Sequence, residues 1–281
     1  MLRPRLWEQV ILHAALVVIA LFVLVPIWGL IYPAFDGGIK GHPSEFRVWP
    51  EQFTLAVFKE VWERPAQTLS FAGVLKNSLI VSGGAALGSV VMGASAAYGF
   101  ARFRFPGRRG GLLALLAGAL LPPVALMTPL YVLLTALGIR TTLLGLAVVY
   151  TAFSMPFCVW NMRSAFQSVP GELEAAAFLD GAGQWDAFRL VTLPLALPSI
   201  GVAALLAFVL GYSEFAIGWL FVETSETVTL AMAVSGMLQS GYFSWSRLAA
   251  LSILMALPVV VLFLILQRYL IRGLLIGTVE E

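Results

Sequence analysis

Residues 77–101 read NSLIVSGGAALGSVVMGASAAYGFA, and residues 102–109 read RFRFPGRR. The first stretch carries no charge. As a helix rising about 1.5 Å per residue, it can cross roughly 30 Å of hydrocarbon. The second stretch places four arginines and no acid at its end. A neutral span that stops at a short basic loop is the signature of a membrane helix ending on the cytoplasmic side.

The pattern repeats. Between successive charged residues lie five more long neutral runs, at 9–35, 110–139, 141–162, 190–213 and 248–267. Apolar residues make up 60% of the 281 and charged residues 11%. A soluble domain runs nearer a quarter charged, so this chain could not cover its own surface in water. The expectation is an all-α membrane protein with one domain over 1–281 and six spans, read as 10–33, 77–100, 111–135, 141–162, 198–221 and 248–268.

Arginine sets the expected orientation. Arg3 and Arg5 precede the first span, and Arg102, Arg104, Arg108 and Arg109 join the second to the third. An even number of spans separates these segments, and Arg268 and Arg272 fall on the same side. Both termini are therefore expected in the cytoplasm. The 34–72 segment, with Trp49, Phe53, Phe58 and Trp62, is expected outside, as short interfacial helices. The two leading arginines resemble the start of a signal peptide. However, the following run is too long and no small-residue cleavage site stands out, so a retained helix is expected.

Several chemistries find no residues. Cys158 is the single cysteine and lies inside the fourth span, which leaves no thiol metal site or disulfide framework. His13 and His42 have no visible partners. GxxxxGK[ST], GxSxG and HExxH are all missing from the sequence. No cofactor is expected on this chain, and transport or a structural membrane role is expected rather than catalysis.

One polar segment interrupts the oil. Residues 172–194 read ELEAAAFLDGAGQWDAFRLVTLP. By the orientation argument the whole 168–194 connection is cytoplasmic. Ser168 and Pro170 are helix-start residues, and Glu172 and Glu174 suit the first turn, where the helix dipole favours negative charge. Ala175, Ala176 and Ala177 are strong helix formers that present a smooth face. Asp180 and Gly181 break the helix, with Asp180 free to cap a second piece running from about Ala182 to Leu190. The segment reads as two short helices bent at Asp180-Gly181, either resting on the membrane or offered to a partner. A DNA-reading helix-turn-helix is excluded by charge, since four acids stand against Arg189 alone between Glu172 and Leu190.

With these residues in view, the segment resembles the coupling motif of ABC importer membrane subunits, EAA-xxx-G-x9-I-x-LP. Gly181, Val191 and Leu193-Pro194 fit its second half. In the first half, Ala176 and Ala177 take the alanine places, Ala175 stands in the glutamate slot, and Glu174 comes one residue early. The blocks ASAAYGFARFRFPGRR (94–109), LPPVALMTPLYVLLTALGIRTT (121–142) and QRYLIRGLLIGT (267–278) are similar to permeases of maltose-type carbohydrate importers, most of all to the second, six-span permease. Importers of glycerol-phosphate and related solutes share these blocks.

The resemblance implies a type I ABC importer permease of the prokaryotic inner membrane. It implies a second permease, a dimeric cytoplasmic ATPase that uses ATP and Mg, and an extracytoplasmic sugar-binding protein. The elbow, 172–190, would seat in a groove of an ATPase subunit, with Glu172, Glu174, Ala175, Ala176, Ala177, Asp180, Gly181 and Ala182 as its coupling residues. The tail GLLIGTVEE would reach towards the ATPase interface.

Glu214 is the one acid expected within a span. A carboxylate at mid-membrane costs about 2.5–3.5 kcal/mol, so it is expected in a bundle interior or a wet cavity. Tyr212, Ser213 and Glu214 are the candidate sugar-pathway residues; hydrogen bonding of Glu214 within the bundle is the alternative. Pro122-Pro123 is expected to bend the third span, and the small residues of 83–97 to allow close helix packing. A self-sufficient carrier is the rival class. It would call for internal repeats and more embedded ionisable groups than one, and it leaves the elbow unexplained.

Overall fold

The computed structural model describes residues 6–39, 47–65, 68–239 and 244–276, with side chains as far as Gln267. Arg3, Arg5, His42 and the last five residues of the tail lie outside the described residues, as do the side chains of Arg268 and Arg272.

The chain is helical. In order come α1 (Leu6–Ala34), α2 (Ala56–Glu63), α3 (Phe71–Arg102), α4 (Arg108–Leu120), α5 (Pro123–Ala136), α6 (Leu143–Ser168) and α7 (Gly171–Leu179). Then follow α8 (Gln184–Asp186), a π-helical stretch (Ala187–Thr192), α9 (Leu193–Leu195), α10 (Leu197–Ser213) and α11 (Ala216–Phe221). A 3₁₀ turn (Ser225–Thr227), α12 (Leu230–Gln239) and α13 (Trp245–Ile276) complete the described chain. Among the described residues the only β pairing is an isolated bridge between Asp36 and Phe53.

Four helices, α1, α3, α6 and α13, are each long and apolar enough to cross a membrane. Two bent pairs bring the number to as many as six: α4 with α5, at 100°, and the Gln184–Leu195 rod with α10, at 77°. The first bend falls at Leu121–Pro122, immediately before Pro123 opens α5. Pro122 and Pro123 offer no N–H to continue the ladder of α4. The expected fifth span also breaks, towards its far end. There α10 stops at Ser213 and α11 restarts at Ala216, so 198–221 is two helices.

Helices α3, α6 and α10 form the centre of the bundle. Their facing sides carry small residues, which lets backbones approach closely. Ser89 Oγ of α3 lies 2.7 Å from Ser154 Oγ of α6. Local signals start both long helices, since Ser70 Oγ accepts from Gly73 N and Thr142 Oγ1 from Gly145 N. Near the elbow the core is Tyr98, Cys158, Met162, Phe166, Phe188 and Ile200. In the middle it is Val81, Leu134, Leu146, Tyr150, Ile217 and Phe221. At the other end α2, α12 and α13 pack over Phe71, Val74 and Tyr212.

α1 stands apart. Its apolar side chains from Leu6 to Leu30 are almost all exposed, and it packs against α13. Such a face is unstable in water and suits hydrocarbon. After α1, Asp36 is buried and organises the chain. Its carboxylate accepts from Gly38 N at 2.9 Å, Glu51 N at 2.9 Å and Gln52 N at 3.2 Å. Around it Phe35 stacks on Phe53, with centroids 5.7 Å apart, and meets Phe58 at 5.0 Å. Of the short helices expected in the 34–72 segment, the described residues show one, α2, which carries Phe58 and Trp62; Trp49 and Phe53 lie outside it.

Candidate functional site

The elbow is built at the ends of α3 and α6. Ser168 ends α6 rather than starting the next helix, and its hydroxyl donates to Ala165 O. Pro170 stands at the N-cap of α7, and Glu172 and Glu174 fall in its first turn. Gly181 takes φ +89°, a conformation that costs an L side chain about 1 kcal/mol or more. Gly181 N donates to Phe178 O, and Ala182 N reaches back to Ala177 O at 2.9 Å. These two bonds form a Schellman motif, which stops the helix in one residue.

Two expectations change here. Asp180 does not cap the second piece; it is the C-cap of α7, and Gly183 is the N-cap of α8. The second piece is not an α-helix through Leu190, because it widens to a π-helix over Ala187–Thr192. Pro194, lacking an N–H, cannot close an i→i−4 bond onto Leu190.

α7 has one buried residue, and it is charged. Glu174 is 6% exposed, while Glu172, Ala175 and Ala176 are exposed and Ala177 is half-buried. Large apolar side chains face outward beside them: Leu173, Phe178 and Leu179 on α7, Trp185 on α8 and Leu190 beyond. Phe188 turns inward and packs on Tyr98, centroids 4.6 Å apart. The elbow is thus held from below by Glu174 and Phe188 and shows an alanine and leucine surface above.

Glu174 Oε1 accepts from Arg102 Nε at 3.0 Å and from the Thr192 hydroxyl. Arg102 Nη2 donates to Val169 O at 2.8 Å. In the sequence Arg102 counts only as one charge of a basic loop. Thr192 is the unassigned place between Val191 and Leu193. Their roles come from contacts across 72 and 18 residues, for which the sequence carries no local signal.

The second candidate site is the break between α10 and α11. Glu214 is the C-cap of α10. Its Oε1 accepts from Ile217 N at 3.0 Å and its Oε2 from Gly218 N at 3.2 Å, which places the carboxylate on the N-terminus of α11. The Tyr150 hydroxyl of α6 donates to Oε2 at 2.7 Å. Ser213 is exposed and Glu214 half-buried. Tyr212 turns the other way, stacking on Phe208 and donating to Met255 O of α13 at 3.0 Å. The three neighbours thus do not share one face. Tyr150 completes the site, and sequence reasoning did not single it out. No group of three or more metal-binding side chains occurs among the described residues.

Long apolar helices packed around α3, α6 and α10, with an exposed helical elbow between α6 and α10, mark the class of multi-pass membrane proteins. The sequence matches the family described as "Binding-protein-dependent transport system inner membrane component" over residues 89–276, and the chain belongs to that family. It is a transport subunit and an inner-membrane protein.

Among its relatives is the maltose/maltodextrin transport system permease protein MalG of Escherichia coli K12. The two are 35% identical over 211 residues, 73% of this chain and 71% of that one. The trehalose transport system permease protein SugB of Mycobacterium tuberculosis is 34% identical over 212 residues, 75% and 77% of the two chains. A bacterial ABC transporter involved in the import of the acidic polysaccharide alginate shares the fold, with a TM-score of 0.75 at 18% identity. That match covers 96% of this chain and 99% of the other.

Proposed function

We propose that this chain is a membrane subunit of an ATP-driven carbohydrate importer. It forms the translocation pathway with a second permease, and its elbow docks on a cytoplasmic ATPase dimer, which binds the ATP and Mg. An extracytoplasmic binding protein delivers the sugar, and both termini lie in the cytoplasm. Support for sugar as cargo comes from the relatives, named for maltose/maltodextrin and trehalose. Support for the binding protein comes from the family description and from the similar alginate transporter, whose structure includes a pentasaccharide-bound periplasmic protein.

The observation that carries the docking role is the elbow surface. A nine-residue helix with one buried side chain, capped by a left-handed glycine, holds Ala175, Ala176 and Leu179 away from the bundle. Small residues let a partner's backbone come close, and exposed leucines give that contact apolar area. The sugar pathway passes the Glu214–Phe215 break, with exposed Ser213 and half-buried Glu214 towards it and Tyr212 bracing the helix behind.

The test is gentle detergent extraction of the tagged chain from native membranes, beside Leu179→Asp/Trp185→Asp. Both residues are exposed, at 89% and 66%, so the variant should fold. The wild type should bring down an ATPase and a second permease in fixed ratio, and the variant should lose the ATPase alone. A chain that purifies by itself and transports without ATP would overturn the proposal.

A further inference from the structure

The one buried side chain of α7 is a carboxylate, and its partners come from two other segments. Arg102 is the last residue of α3, the helix that packs most extensively on α6 and next on α10. Its guanidinium grips both the α6–α7 corner, through Val169 O, and α7 itself, through Glu174. Thr192, fully buried in the π-helical stretch, donates to the same Oε1. One carboxylate oxygen therefore pins together the end of α3, the elbow helix and the start of the return to the bilayer. The glutamate slot of the motif is filled by exposed Ala175, and the residue one place earlier points about 100° away around the helix, into the protein.

We propose that Glu174 is an internal strut. It makes the elbow and α3 one rigid body, so that a displacement of the elbow reaches the central helices without loss. This rests on the elbow's reading as a docking site. Without the strut, α7 keeps its own backbone bonds and its docking surface, but it is tied to the bundle by short loops and Phe188. A push on the elbow then bends the corner at Val169–Pro170 before it moves α3. The charge is essential to this role. Two charge-assisted bonds to one oxygen are directional and stiff, whereas apolar contacts at the same place would slide.

The experiment uses the assembled transporter in liposomes and reads substrate uptake per ATP hydrolysed. Glu174→Ala and Arg102→Met should each lower that ratio about fivefold or more, the scale of a coupling energy between two sites. Their double variant should fall well short of the product of the two losses, because both singles remove the same Arg102–Glu174 bond. Glu174→Gln, which keeps an acceptor for both donors, should fall between wild type and Ala. If Glu174→Ala retains the wild-type ratio, or if the two losses multiply in the double variant, the strut is refuted.

A second measurement needs no ATPase. Spin labels at Leu179→Cys and Phe105→Cys report the distance between the elbow and the α3–α4 corner, with the native Cys158 buried and unlabelled. The distance distribution should be narrow in the wild type and broaden in Glu174→Ala. An unchanged width would overturn the strut even in a variant that assembles poorly. A wild-type chain that binds no ATPase would instead refute the docking role, and the label distance would still decide the strut.

Discussion

The Tyr150 hydroxyl donates to Glu214 Oε2 across 2.7 Å, and the same oxygen accepts from Gly218 N. One carboxylate thereby caps α11 and fastens it to α6. The bond spans 64 residues and joins the break between α10 and α11 to the middle of the bundle.

Glu214→Ala leaves the N–H groups of Ile217 and Gly218 without their acceptor and the Tyr150 hydroxyl without its own. Tyr150→Phe removes one donor and leaves the cap in place. A hydrogen bond to a charged group contributes about 1.5–3 kcal/mol, so Tyr150→Phe should cost near the lower figure and Glu214→Ala more. Thermal unfolding in detergent measures both. A Tyr150→Phe variant less stable than Glu214→Ala would refute the capping role. Glu214→Gln tests the pathway, and sugar uptake and coupled ATP hydrolysis should both fall in a normally assembled complex.

Gly218 permits the contact. A Cβ there would lie 2.9 Å from Met232 Sδ and 3.0 Å from the Tyr150 hydroxyl. Gly218→Ala should destabilise by about 1–3 kcal/mol, the usual cost of overpacking. Adding Tyr150→Phe should recover part of that loss, because it removes one of the two atoms in the way. Equal stability of the double variant and Gly218→Ala would show that Met232 alone resists.

At the elbow, Gly181 has open space around its missing side chain, so only its backbone angle resists substitution. Gly181→Val should cost about 1–2 kcal/mol locally, leave the unfolding of the spans unchanged and weaken ATPase docking or coupling. Full sugar-stimulated ATP hydrolysis in the assembled variant would argue against the elbow's role.

Asp36 predicts a pH dependence. Burial pulls its carboxyl up, but the backbone N–H groups of Glu51, Gly38 and Gln52, with the charge of Arg47, outweigh that and hold it below 3.8. A carboxyl depressed in the folded state contributes stability that is present above its unfolded pKa and lost as pH falls through the folded one. The contacts of Asp36 with Gly38, Glu51 and Gln52 should therefore hold at pH 5 and loosen as pH drops below 3.8. Asp36→Asn should lower the melting temperature at pH 6 and flatten its fall towards pH 3. Parallel curves for the two proteins would exclude Asp36 as the acid-sensitive group.

Much of the architecture was legible from one-dimensional pattern. The neutral runs place long apolar helices because a charge inside hydrocarbon is costly enough to mark each boundary. Pro122-Pro123 marks the bend because neither residue donates a backbone hydrogen bond. Asp180-Gly181 marks the end of α7 because glycine alone takes φ +89° without strain. The family resemblance was legible for a similar reason, since its motifs are contiguous in the chain.

The sequence could not set the direction in which side chains point once helices meet. From the sequence Glu174 reads as a first-turn acid one place before the motif's glutamate slot, and Glu214 as an acid within a span, facing either the pathway or the bundle. Their partners, Arg102, Thr192 and Tyr150, carry no local signal. Whether a carboxylate faces a partner protein, a pathway or a neighbouring helix depends on the rotation of each helix about its own axis. Packing fixes that rotation, through close approach of small residues in α3 and α6 and through the left-handed turn that sets α7. By itself the sequence determined where the long apolar helices lie and where Pro and Gly interrupt them, because transfer free energy and backbone geometry are local. Only the tertiary structure decided which buried charge meets which, because a hydrogen bond needs its partner within about 3 Å and residues far apart in the chain supply it.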